Sequence, residues 1–560
     1  MKSEGFLRFA GFLIVTLFLL GMIGKGAFAV ESNNIYGIHL AQPHLEDLKS
    51  TANLVNSTGG DWGYITLVIQ ENDRDLGKWQ GIFDELRRLH LIPIIRLATS
   101  PVGENWRRPE PEEAQNWVNF LNSLNWVTKN RYVILFNEPN HGSEWGGEVD
   151  GKSYAEVATS FAKRLKEKSQ DFFIMLAGFD ASAPSYYPGL EDEATFLNEV
   201  INESKDIFNY IDGWSSHSYP NPGFSGTPWD YGRGTVRTYQ WELDLLREFG
   251  VNKDLPVFIT ETGWRRGNET TVANYFYTAY SEVWSLDPRI WAVTPFVLDY
   301  QSPPFLEFSW KKYNLQDFYQ QYFTVQSMAK IKGAPVQIQK GAIDFKLPHE
   351  LVIQSKYNFR INLANNGQAV WDKDDDYAVQ ITEDGVKASE FLVNDLKAIE
   401  PFQEKAVDFS LKTAEEGKQN VKFILTKNGE SILESKTWNF NILPLPSLAF
   451  EVNFFPFFKG KGDNFEVQIF DEEEHLVFKK KGVKVDNSKG QITNIQNIAL
   501  DEKYRIVIVK PGYLPRQSFL AFKREHNSVK FKPMLGIDFN EDGKFEPRDL
   551  LFFFIKLIGR

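Results

Sequence analysis

The chain contains no cysteine. Disulfides, thiol catalysis, thiolate metal sites and lipidated cysteine anchors are therefore excluded together. Histidine is sparse: there are eight, with no HExxH or other ligand-spaced cluster, so no catalytic zinc or other catalytic cofactor is implied. No GxSxG elbow occurs. Neither GxGxxG nor a P-loop follows the first strand candidate, which weakens a doubly wound nucleotide-binding sheet. Basic residues are outnumbered 62 to 74, a net charge of −12 that argues against nucleic-acid and anionic-membrane partners. Internal repeats and low-complexity tracts are lacking too. What the chain has in quantity is aromatic residues, 15% of its 560 positions, and 13 of its 15 tryptophans precede residue 311. The chemistry is expected there.

The N-terminus reads as a targeting segment. Lys2 and Arg8 make a positive start, Phe9 to Ile23 is an apolar run, and Ala27-Phe28-Ala29 fits a small-x-small cleavage site. Residues 1–29 are thus expected to be a signal peptide. The mature protein would be secreted, extracellular or held at the cell surface, without a stable membrane span.

From Asn34 to about Tyr300, short β-rich runs alternate with longer segments of helical period. The runs are Tyr36–Leu40, Tyr64–Ile69, Ile92–Leu97, Tyr132–Phe136, Phe172–Leu176, Ile211–His217, Val257–Thr260 and Ile290–Val297. Helical candidates include Glu112–Leu124, Ser153–Lys168, Val236–Phe249 and Thr271–Leu286. Eight strands over this length predict an α/β fold, a (β/α)8 TIM barrel spanning residues 30–332.

After Lys332-Gly-Ala-Pro335 helical period gives way to two-residue alternation, as in Tyr357, Phe359, Ile361 and Leu363. An immunoglobulin-like β-sandwich is predicted over 336–443, and Asn365-Asn366-Gly367 before Trp371 loosely resembles a strand turn of such modules. Leu443-Pro-Leu-Pro446 reads as a linker to a second β-sandwich over 447–533. Residues 534–560 form a tail in which Asp538, Asn540, Asp542, Glu546 and Asp549 fall at loop positions 1, 3, 5, 9 and 12. Gly543 is at position 6 and Lys544 at 7, where a backbone carbonyl serves. That spacing predicts a structural Ca2+ site. Its Asp at position 12 resembles the dockerin type of loop, although dockerins carry two loops and this chain shows one. A cell-wall or scaffold partner for these modules is the corresponding expectation.

Two carboxylates stand at predicted strand ends, where a barrel builds its active site. Phe136-Asn137-Glu138-Pro139 ends the fourth strand and Ile259-Thr260-Glu261-Thr262-Gly263-Trp264 the seventh. Glutamates facing each other across the mouth suit retaining glycoside hydrolysis, in which one protonates the leaving oxygen and the other attacks the anomeric carbon. The sixth strand adds His217 and Tyr219, which alternation sends the same way. Sugar faces stack on aromatic rings, so Trp106, Trp145, Trp229 and Trp264, in segments after strands, are candidate stacking residues, and the loop at Trp145 a candidate subsite wall. Trp117, Trp126, Trp241 and Trp284 lie in helical segments and read as packing.

Over about residues 34–310 the chain resembles clan A of the glycoside hydrolases. Asn137-Glu138-Pro139 is similar to the clan's acid/base motif, Glu261 to its nucleophile, and His217-x-Tyr219 to a pair found in cellulase-like families. The resemblance implies a β-linked carbohydrate substrate, Glu138 as acid/base, Glu261 as nucleophile, and Asn137 on the sugar 2-hydroxyl. Two positions depart from the pattern: Arg96 ends the third strand where histidine is common, and Leu298-Asp299-Tyr300 ends the eighth where tryptophan is common. A transglycosylase and a non-catalytic glycan-binding surface protein are the alternatives.

Overall fold

A computed structural model describes residues 33–384, 389–456 and 458–558; the expected signal peptide lies outside them. The chain divides into two compact units between Ile338 and Gln339.

In the first unit, strands and helices alternate: β1 (Gly37–Leu40), α1 (Leu45–Val55), β2 (Gly63–Gln70), α2 (Leu76–Arg88), β3 (Leu91–Ala98), α3 (Ala114–Ser123), β4 (Arg131–Leu135) and α4 (Gly151–Lys168). They continue through β5 (Phe172–Leu176), α5 (Glu193–Glu203), β6 (Trp214–His217), α6 (Thr238–Glu248), β7 (Val257–Glu261), α7 (Glu269–Thr278), β8 (Ile290–Val293) and α8 (Gln320–Ser327). This is a mixed α/β unit with parallel strands. β1 to β5 pair in order, as do β6 to β8. Parallel bridges Met175↔Gly213 and Tyr36↔Val293 join the two sheets at both edges. Each strand therefore has a parallel neighbour on either side, and no edge is left to template aggregation.

Alternation sorts the side chains. Tyr64, Ile92, Ile94, Tyr132, Ile134, Met175, Phe258 and Ala292 pack together on one face. Ile65, Leu67, Ile95, Val133, Ile174 and Ile259 join the apolar faces of the helices on the other. Trp117, Trp126 and Trp284 are fully buried with that second set. Gly37 lies where β1 meets β8, and a Cβ there would sit 2.6 Å from the Thr294 methyl.

The second unit is β-rich. Strands Gly341–Asp344, Lys356–Asn365, Glu404–Thr413 and Ser389–Val393 form one sheet; Glu350–Val352, Trp438–Leu443, Gly417–Lys427 and Tyr377–Asp384 form another. Ile361, Leu363, Phe409, Phe423, Trp438 and Phe440 fill a common core. The following module departs from expectation. Instead of a two-sheet sandwich, seven of its strands from Leu448 to Lys530 join one continuous sheet. Nor does the Leu443–Pro446 segment separate two independent bodies. The buried Tyr357 hydroxyl accepts from Val352 N at 2.9 Å and reaches Ile498 O at 2.8 Å, tying both modules together.

Tyr357→Phe should strand the buried Val352 N–H and cost about 1–3 kcal/mol. Denaturant unfolding of the full chain, followed by fluorescence, measures that loss.

Candidate functional site

The site forms at the C-terminal ends of the strands, and local backbone irregularities aim its residues. Arg96 lies two residues beyond Ile94 on β3, and so shares its face. On β7 strict alternation from Phe258 would turn Glu261 the wrong way. The pairing of β6 with β7 shifts register here: Ser216 faces Ile259, but the next residue, His217, faces Glu261. The extra residue, Thr260, is a bulge that re-aims the carboxylate. After β4 the chain passes through positive φ at Phe136 (74°) and Glu138 (32°), conformations costly for residues with a Cβ. Phe136 is thereby buried against Trp145 and Phe161, and Glu138 is held by Glu138 N donating to Gly178 O.

Six of the eight sequence-predicted residues of this site come together. Arg96 donates through Nη1 to Glu261 and, at 2.5 Å, to Asn137 Oδ1. Tyr219 donates to Glu261 Oε2 at 3.0 Å. His217 Nδ1 lies 2.7 Å from Glu138 Oε1 and 3.9 Å from Glu261 Oε2. Oxygens of Glu138 and Glu261 fall with this imidazole in a cluster whose atoms all lie within 4.8 Å of one another. Arg96 thus anchors a carboxylate rather than lining open space.

Burial alone would raise the Glu261 pKa, but His217, Arg96, His39 and the Tyr219 hydroxyl outweigh it and hold the carboxyl down at about 2. His217 responds in the opposite sense: burial lowers it, yet Glu261 and Glu138 bring it above its ordinary value. Tyr219 is kept a phenol by burial and both carboxylates. It is a fixed donor.

Gly178 supplies the space for this arrangement. A Cβ there would lie 2.1 Å from His217 Cδ2.

Two expected residues behave differently. Trp145 is wholly buried, edge-on to Phe136 and Tyr154, and so offers no face as a subsite wall. Trp264 is 4% exposed, donates to Gly226 O and packs on Phe276. Both loops fold their indoles inward because burial of an aromatic side chain outweighs leaving it in water. Exposed rings on segments after strands are instead Tyr186, Tyr187, Trp229 and Phe305.

Three further residues belong to the site. His39 on β1 is buried with neither ring nitrogen hydrogen-bonded, 3.8 Å from Glu261, and burial and Arg96 push its pKa down to about 3. Phe296 packs edge-on to His39 at 5.2 Å. Glu144 bonds Asn137, and burial together with Glu138 raises its pKa to about 7. Alternation along β1 flags His39, and along the chain leaving β8, counted from Ala292, it flags Phe296; nothing in sequence flags Glu144.

No protein-family model matches the chain, and no curated protein matches it. Among solved structures, an endo-β-1,4-glucanase from Xanthomonas axonopodis is 15% identical, covering 52% of this chain and 98% of its own, with a TM-score of 0.39. A monomeric β-xylosidase from Caulobacter crescentus is 10% identical, covering 84% and 97%, with a TM-score of 0.39. A family 39 glycoside hydrolase from the gut symbiont Bacteroides cellulosilyticus is 13% identical, covering 86% and 81%, with a TM-score of 0.38. With every score below 0.5, the ground for a functional reading is the geometry above.

Gly178→Ala should push the imidazole off Glu138 and cost about 1–3 kcal/mol through overpacking. Without its carboxylate partner, burial then dominates, and His217 should titrate below rather than above the ordinary histidine value; histidine NMR follows this directly.

Proposed function

We propose that the first unit is a (β/α)8 barrel and a retaining β-glycoside hydrolase, exported by its N-terminal leader and acting on a β-linked polysaccharide or oligosaccharide. One observation carries the reading: oxygens of Glu138 and Glu261 approach within 4.8 Å. Retaining sites hold their carboxyls ~5–5.5 Å apart, whereas inverting sites need ~6.5–9.5 Å to admit a water.

Glu261 is the nucleophile, ionised across the working range because Arg96 and Tyr219 stabilise its charge. It attacks the anomeric carbon while the glycosidic C–O bond breaks, and Glu138 delivers a proton to the leaving oxygen. Water then attacks the glycosyl-enzyme, giving its proton to Glu138 and freeing Glu261. The 2.7 Å contact with His217 holds Glu138 in line for both transfers. Asn137, fixed by Arg96, is placed for the sugar 2-hydroxyl. Tyr186, Tyr187 and Trp229 are the rings exposed for stacking on sugar faces.

For the tail we propose a structural Ca2+ site. Gly543 adopts φ +81° and makes the turn. Asp549 accepts from the backbone of Phe539 and Glu546, folding the loop on itself. Asp538 is 4% exposed, and its Oδ1 is buried without a hydrogen-bond partner. An orphaned carboxylate oxygen at position 1 fits a hard cation. Asp538, Asn540, Asp542, the Lys544 carbonyl, Glu546 and Asp549 would hold it.

Product NMR on the intact chain tests the reaction: the β-anomer should appear first from a β-linked substrate, and an inverted product removes Glu261 as nucleophile. Azide should trap an α-glycosyl azide with Glu261→Gly and a β-glycosyl azide with Glu138→Ala. In Glu138→Ala, natural substrates should slow ~10²–10⁴-fold while activated aryl glycosides still form the intermediate.

Calorimetry with Ca2+ should give one site that is lost in Asp538→Ala without a change in turnover. Equal uptake by both chains would rule the loop out.

A further inference from the structure

On the side of β6 facing the helices, two glutamates are buried against each other. Glu193 opens α5 and Glu242 lies in α6; neither has any exposed surface. Alternation along β6 sends Trp214 and Ser216 to this side while His217 faces the catalytic pair. Trp214 Nε1 donates to Glu242 Oε2 at 2.8 Å. The Ser216 hydroxyl also bonds this carboxyl. Yet the other oxygen of Glu242 and both oxygens of Glu193 find no donor, although the two carboxyls lie within hydrogen-bonding contact. Two touching carboxylates, both ionised and shut away from water, would carry a severe desolvation and repulsion cost. The cation facing them, Arg233, is engaged by Asp192 at 2.6 Å.

We propose that Glu193 and Glu242 share a single proton, Glu193 as neutral donor and Glu242 as carboxylate, and that this pair clamps the His217 strand to α5 and α6. The asymmetry follows from the donors. Glu242 already accepts from Trp214 and Ser216, which favours its charged form; Glu193 has nothing comparable. Burial and Glu242 push Glu193 well above the ordinary carboxyl range, while burial lifts Glu242 to about 6 against those hydrogen bonds. Arg233 and Asp180 face Glu193, and His217 faces Glu242. From the clamp, Ser216 contacts Ser218 at 2.8 Å, and Ser218 O accepts from Thr262 Oγ1, beside Glu261. Both catalytic strands are therefore tied to the pair, which makes Glu193 and Glu242 positioning residues; that consequence rests on the glycosidase reading, but the shared proton does not.

The folded-state pKa of Glu193 is raised, so its contribution to stability is present while it is protonated and is lost as pH rises through that value. Above it the folding equilibrium constant should fall by about tenfold per pH unit, the linkage of one proton. Infrared spectra of the full chain at neutral pH should contain the carbonyl stretch of a protonated carboxyl that disappears in Glu193→Gln. The amide is a permanent donor in place of the O–H, so this variant should fold and lose the alkaline slope. With an aryl glycoside, Glu193→Ala should lower kcat about tenfold with KM little changed, through misplacement of His217, and Glu193→Gln should restore most of it. Three results would overturn the shared proton independently of any activity: an unchanged carboxyl band in Glu193→Gln, an unchanged alkaline slope in that variant, or one tightly held cation per chain that Glu193→Gln releases. Restored spectra and slope with no kcat difference between the Ala and Gln variants would overturn the positioning role alone.

Discussion

A carboxylate that must stay charged while shut away from water governs the first unit. Glu261 is 8% exposed, and burial by itself would neutralise it. Its charge survives because donors and cations arrive from three other strands: Arg96 from β3, His217 and Tyr219 from β6 and the turn after it, His39 from β1. Those residues are scattered from position 39 to 219, and no local segment could gather them. Parallel strands joined at both edges can, since every strand then delivers its C-terminal end to the same place.

The geometry is held by features that are unfavourable locally. Phe136 and Glu138 take up left-handed backbone, and a bulge interrupts β7 one residue before Glu261. Each costs ladder bonds or torsional energy, and each is over-determined by its surroundings. Phe136 is locked among Trp145 and Phe161, and Glu138 N is bonded to Gly178 O. The buried Trp145 therefore serves the site by fixing the turn that carries Glu138, and contributes no binding surface.

Why some residues were legible in sequence and others were not follows from this. Glu138, Glu261, His217 and Tyr219 stand at strand ends, so periodicity plus the known habits of parallel strands locates them. The seventh strand nevertheless hides its own logic: alternation would have turned Glu261 outward, and only pairing register reveals the bulge. The eighth strand reads as Ile290–Val297 because the apolar run continues, yet the ladder stops at Val293. Its functional end is thus nearer Phe296 than Tyr300. Trp145 and Trp264 mislead because position after a strand does not say which way an indole turns; packing decides it. Glu144 is invisible beforehand, since its meaning depends on Asn137 having already been oriented by Arg96. In the second unit alternation locates the strands, but whether they make two sheets or one depends on pairings remote in sequence.

Three sets of buried carboxylates in this chain pose one electrostatic problem with different means of relief. Around Glu261 the compensation is an arginine and an imidazole, which keeps the oxygen ionised and nucleophilic. At Glu193 and Glu242, where no cation is free to enter, the relief proposed above is a proton, which removes reactivity and leaves a hydrogen bond. At Asp538 it is a divalent ion, which a mostly exposed loop can recruit from solvent. The choice tracks what each place must do. A nucleophile has to keep its charge, so a proton there would defeat it; an ion bound directly to Glu261 would occupy the oxygen that must attack. A clamp between helices gains most from a short, directional bond that needs no ligand. A terminal loop with little core of its own gains most from many oxygens converging on one centre, because that is how a short segment acquires enough contacts to hold a fold.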